Sequence, residues 1–174
     1  MKVHHFPRTL SVAPTLLTVS SLHAQQPQPL LQLQTSTAQS VFHIGERIPL
    51  TLTFSAADTN RYEITISNSN RQGCMDYEDF EVTPKKGWAD PLATYYGGGC
   101  AGSFLSSLGL LSTKPTIVQH DLNEWVRFDQ PGVYRLTVIS HRVDEPSSPS
   151  RAGNRFSLKS NSIELHIIPA TPEW

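Results

Sequence analysis

The stretch RFDQPGVYRLTV, from Arg127 to Val138, constrains the fold more than any other part of the chain. A strand-like run ends at Phe128, Asp129-Gln130-Pro131-Gly132 turns the chain, and a second run begins at Val133. Pro131 presets the φ angle a turn needs, and Gly132 can adopt a positive one. Tyr134 then opens a face that Leu136 and Val138 continue at every second position, the period of a half-buried strand. A tyrosine just inside a strand after such a turn is the arrangement of the tyrosine corner, in which the hydroxyl bonds the backbone a few residues upstream. The stretch therefore predicts Tyr134 as a structural residue of an all-β, antiparallel sandwich.

The remaining sequence has the same grain. In FHIGERIPLTLTFSA, Gly45-Glu46 makes a turn, and Ile48, Leu50, Leu52 and Phe54 then share one face. Pro49 stands near the start of that strand, where a missing N–H is tolerated. YEITIS points Tyr62, Ile64 and Ile66 inward, and NSIELHIIP does the same with Ile163, Leu165 and Ile167. PTIVQHDLNEWVRF reads as one strand, and VYRLTVISHRV as the longest. YEDFEVTP gives a short acidic strand with Tyr77 on one parity and Phe80 and Val82 on the other, a slip compatible with a bulge. The total is about seven strands. The exception is Lys85 to Thr113, a long glycine-rich connection without a period, with one short helical turn expected near Ser103 to Leu111. A connection of that length inside a compact domain is commonly functional or pinned.

A net charge of −1 builds no field for nucleic acid or an anionic membrane. Residues 1–24 have the pattern of a secretory signal peptide: Lys2 and Arg8, a short apolar run from Leu10 to Leu22, and a small residue at Ala24 for cleavage. The run is too short to span a bilayer, and no later segment is apolar enough for a transmembrane helix. Residues 25–40 are a Pro/Gln linker with room for a first edge strand at Leu31 to Thr35, and 41–174 form the sandwich domain. A secreted or periplasmic location makes the cysteine pair, Cys74 and Cys100, a disulfide. Neither cysteine has a second ligand at metal spacing.

The order of HIGERIPLTLTF, DLNEWVRFDQPGVYRLTV and SIELHII resembles that of bacterial immunoglobulin-like domains. More narrowly, LNEWVRFDQPGVYRL and the final PATPEW resemble the N-terminal domain of large uncharacterised bacterial secreted proteins. The resemblance covers Val41 to Trp174 and implies an immunoglobulin-like β-sandwich; the end at Trp174, just past the final strand, suggests a truncated reading frame or the first domain of a longer chain. Its motifs specify a fold and transfer no catalytic residue. FHIGERIPLTLTFSAAD and RFDQPGVYRLTV are also similar to a proteinase-inhibitor domain of the same sandwich type. That family lacks the Cys pair and the glycine-rich loop.

Candidate sites are few. His120-Asp121 are adjacent, but no nucleophile signature such as G-x-S-x-G accompanies them. CMDYEDFE offers Asp76, Glu78, Asp79 and Glu81 as calcium ligands without the spacing of a calcium loop, so a solvated acidic edge strand is the simpler reading. His43, His141 and His166 read as isolated surface or edge residues. Trp88, Tyr95 and Tyr96 lie in the long connection and form either a recognition surface or a small satellite core. The sequence thus predicts a non-enzymatic binding, spacer or accessory domain that needs no cofactor and engages a protein or a glycan. The alternatives are a proteinase inhibitor presenting the 85–113 loop and, third, a hydrolase.

Overall fold

The computed structural model describes residues 28–66, 77–94, 107–145 and 155–172. Strand β1 (Leu30–Thr35) pairs antiparallel with β3 (Pro49–Ser55), which pairs antiparallel with β8 (Thr116–Asp121). These three form one sheet. The opposing sheet is centred on β10 (Gly132–Asp144), a strand of 13 residues. On one side of β10 lie β11 (Arg155–Lys159) and β12 (Ile163–Ile168), and on the other lie β4 (Glu63–Ile66) and β5 (Glu78–Thr83). Strand β7 (Ser107–Leu110) extends the sheet beyond β4, and β2 (Val41–His43) runs parallel to β12. The first strand region is thus divided between the sheets: β1 joins one, and β2 joins the other alongside the last strand. This is an immunoglobulin-like sandwich.

Alternation fixes the core as the sequence predicts. Leu50, Leu52 and Phe54 of β3 are buried against Tyr134, Leu136 and Val138 of β10 and Leu165 and Ile167 of β12. Leu31 and Leu33 of β1 are buried in the same cluster. Ile163 and Ile66, expected on inward faces, are partly buried at its margin.

Three local readings change. The strand expected from Pro115 to Phe128 is interrupted by a 3-10 turn at Leu122–Glu124 before the two-residue β9 (Arg127–Phe128). Asn123 stabilises the break, because its Oδ1 accepts from the Ile48 amide at 2.7 Å and its Nδ2 donates to the Glu46 carbonyl at 2.9 Å. The helical turn expected near Ser103 to Leu111 is, at Ser107–Leu110, the strand β7. Gly109 explains the difference: a Cβ there would sit 2.6 Å from Ile66 Cδ1, so glycine lets the two strands approach. Nor is the start of the 85–113 connection free. Strand β6 (Trp88–Ala89) pairs with β9, Trp88 lying opposite Phe128.

Tyr134 ties that last contact to the opening turn. Its hydroxyl lies 2.9 Å from the Gln130 carbonyl and 3.2 Å from the Gly87 carbonyl, to either of which it can donate. Its ring packs on Phe128 at a centroid distance of 4.6 Å. Tyr134→Phe should therefore lower stability by about 1–2 kcal/mol, since one bond is lost and a carbonyl is left short of a donor. An unchanged urea midpoint would show that the hydroxyl contributes nothing.

Candidate functional site

The polar residues with enzyme-like chemistry collect between the sheets. Glu78, the first residue of β5, lies opposite Ser140 of β10. Two residues along β10 the Arg142 side chain enters the same interior, and β8 contributes His120 from the facing sheet. All four are buried. Arg142 Nε donates to Glu78 Oε1, and Nη2 donates to Oε2 at 2.8 Å, a two-point fork onto the carboxylate. Nη1 donates to the Thr65 carbonyl at 3.1 Å, and the guanidinium lies over the Tyr77 ring at 4.7 Å. Ser140 Oγ donates to Glu78 Oε1 at 3.1 Å. His120 Nε2 stands 3.3 Å from Glu78 Oε2, close enough to pair but not aligned as a hydrogen bond. The His120 ring meets Trp125 and Phe80 edge-on, at centroid distances of 5.0 and 6.2 Å.

Burial pushes the Glu78 carboxyl up, but His120 and Arg142 together outweigh it and hold the group below the usual carboxylate range. The sign for stability follows. A depressed pKa in the folded state contributes stability above the unfolded value, about 4.3, and loses it as pH falls through the lower folded value. Urea midpoints measured from pH 6 down to pH 2 should therefore decline more in the wild type than in Glu78→Gln, beginning near pH 4. Parallel declines would show that Glu78 titrates alike in both states.

The network alters the reading of the acidic segment. YEDFE is only in part a solvated edge: β5 pairs with β10 alone among the described strands, and Asp79 and Glu81 point outward, but Glu78 is buried and faces inward. The three therefore do not converge on one ion, and among the described residues no group of three or more His, Cys, Asp or Glu could hold a metal. Asp76 lies outside the described residues. So do Cys74 and Cys100, Tyr95 and Tyr96, and residues 1–24. Trp88 is half-buried against the core, and its Nε1 donates to the Pro84 carbonyl at 2.9 Å. Asp121 does not join His120. It points outward and accepts from Arg47 Nε at 2.7 Å.

The histidines expected to be isolated have partners. His166 Nε2 is 2.9 Å from Glu164 Oε1, and His43 Nδ1 is 2.9 Å from the Pro169 carbonyl. His141 sits between Asp79 and Ser157 on the outer face of the larger sheet. Two shallow hollows are open to solvent. One, of about 270 Å³, lies beside Arg47, His120, Asp121 and Glu124. The other, of about 430 Å³, lies along Gln34 to Ser40 beside Ile163 and Glu164, where hydroxyl- and amide-bearing residues alternate with apolar surface. No helix among the described residues is long and apolar enough to cross a membrane.

The sequence matches no family model and no curated protein. Among solved structures it is similar to the crystal structure of the CARDB domain of a Pyrococcus furiosus protein in complex with di-metal ions. The identity is 6%, 83% of this chain aligns with 96% of that one, and the TM-score is 0.40. The solution NMR structure of that domain aligns at 9% identity over 83% of this chain and 97% of its own, with a TM-score of 0.37. At these identities no residue of that domain is carried over to this one.

Proposed function

We propose that this chain is a non-catalytic, immunoglobulin-like accessory module of an exported bacterial protein, and that it acts through its surface on a protein or a glycan. The observation that carries the reading is the closed state of the interior network. Both Glu78 oxygens accept from Arg142, Ser140 is fully buried, and His120 is buried edge-on against Trp125 and Phe80, bordering only a shallow hollow. A carboxylate already forked by a guanidinium is a poor general base, and a serine that no substrate can reach is no nucleophile. Burial of this kind suits a pin between two sheets. Fold alone would not choose among binding, inhibition and catalysis.

Export and a place at the start of a longer secreted protein are supported by the pattern of residues 1–24 and by the resemblance of the Val41–Trp174 segment. The hollow beside Ile163 combines apolar surface with the hydroxyls and amides of Gln34 to Ser40, a mixture that suits a glycan. The test uses the full chain expressed with its own leader. Export predicts a mature N-terminus at Gln25, and the purified product should bind immobilised glycan or a periplasmic protein without sustained turnover of ester or peptide substrates. Sustained turnover abolished by His120→Ala would overturn the reading, and so would retention of residues 1–24 in the cytoplasm.

A further inference from the structure

The outer face of the larger sheet carries a hydrogen-bonded row that crosses three adjacent strands. His141 on β10 stands between Asp79 on β5 and Ser157 on β11. Its Nε2 is 3.2 Å from Asp79 Oδ2, and its Nδ1 is 3.1 Å from Ser157 Oγ. A neutral imidazole has one N–H and one lone pair, and an ionised carboxylate can only accept. The proton therefore belongs on Nε2, where Asp79 holds it, and the Nδ1 lone pair faces the Ser157 hydroxyl. This is the order of acid, base and nucleophile that raises the reactivity of a serine. The row is also reachable. The His141 and Asp79 side chains are 34% and 69% exposed, and Ser157 is exposed. The neighbouring charges on this face, Glu81 and Lys159, pair with each other at 3.0 Å and leave the row alone.

We propose that Ser157 is a nucleophile activated by His141, with Asp79 as its positioning residue, and that it accepts one acyl group per chain from an activated ester or thioester. Ser157 Oγ attacks the acyl carbon and forms the new C–O bond. Its proton passes to His141 Nδ1, the bond from the acyl carbon to the leaving oxygen or sulfur breaks, and the leaving group departs with that proton. Neither of the two hollows described above is lined by a residue of the row, which lies on an open sheet face. An open face suits an acyl donor that carries a good leaving group. The alkyl ester then left on Ser157 has no such leaving group, so the acyl group stays, which agrees with a module that does not turn over.

The full chain is treated with p-nitrophenyl acetate, and the modified residues are located by peptide mass mapping. Acetyl should accumulate on Ser157 with release of one p-nitrophenolate per chain, and His141→Gln should slow that labelling about a hundredfold. In Asp79→Asn the labelling should slow as well, and Asp79→Glu should restore it, since a carboxylate at that place still accepts from Nε2. Equal labelling of Ser157 in wild type and His141→Gln would overturn the assignment. So would acetylation confined to lysines and other serines, or labelling of Ser157 in Asp79→Asn at the wild-type rate.

Discussion

Replacing Glu78 with leucine should lower the free energy of unfolding by about 3–5 kcal/mol, although the substitute is apolar, of similar size and placed in a hydrophobic interior. Wild-type Glu78 gives the buried Arg142 guanidinium two charge-assisted bonds and gives Ser140 an acceptor. Leucine removes all of them at once and takes the fork's negative charge away from a buried guanidinium that still donates to the Thr65 carbonyl and lies over Tyr77. The hydrophobic gain of one leucine, about 1.5–3 kcal/mol, falls short of that loss. Domains are stable by only about 5–15 kcal/mol, so the variant should unfold at markedly lower denaturant or fail to accumulate. A midpoint within experimental error of the wild type would mean that Arg142 finds other partners without cost.

The second large effect is expected at Gly87, which has no chemistry of its own. Its φ is +83°, in the left-handed region that β-carbons disfavour, and a Cβ placed there would collide with the Tyr134 hydroxyl. Relief requires either a change in the Gly87 backbone, whose carbonyl accepts from the Asp129 amide at 2.9 Å, or displacement of Tyr134 from Gln130. Backbone strain costs about 1–3 kcal/mol and the displaced hydrogen bond about 1 more, so Gly87→Ala should lose about 2–4 kcal/mol. In the background of Tyr134→Phe the collision is smaller, and the penalty should shrink toward the strain alone. A penalty of the same size in both backgrounds would show that Tyr134 and the segment from Lys85 to Trp88 are not coupled.

The framework was legible because alternation is a local signal. Pro49–Ser55 places Leu50, Leu52 and Phe54 inside whatever their partners are, and the turn at Asp129–Gly132 places Tyr134. The interior network was legible in part and passed over. Glu78 shares its parity with Phe80 and Val82, Arg142 with Leu136, Val138 and Ser140, and His120 with Val118 and Leu122. Each polar residue therefore sits at an inward position of a strand whose other inward residues, Ser140 aside, are apolar. Their pairing was out of reach, because Glu78 and Arg142 are 64 residues apart and only the register of β5 on β10 brings them together. The Asp79–His141–Ser157 row was hidden for the same reason, since it needs three strands in register. Strand β7 was missed because Ser107–Leu110 is short, apolar only at alternate positions and contains glycine, a pattern that a helical turn also tolerates.

The central claim is that Glu78 and Arg142 act as one structural unit inside the sandwich. A double-mutant cycle in urea, with Glu78→Leu, Arg142→Leu and the pair, tests it most directly. Each single change takes one side of the charged fork out of the interior, whereas the double change removes both sides together. The account predicts that the double variant loses no more than the milder of the two single variants, and so a coupling of several kcal/mol. Additive losses would contradict it, because each side chain would then be held by separate contacts and the network would be no pin between the sheets.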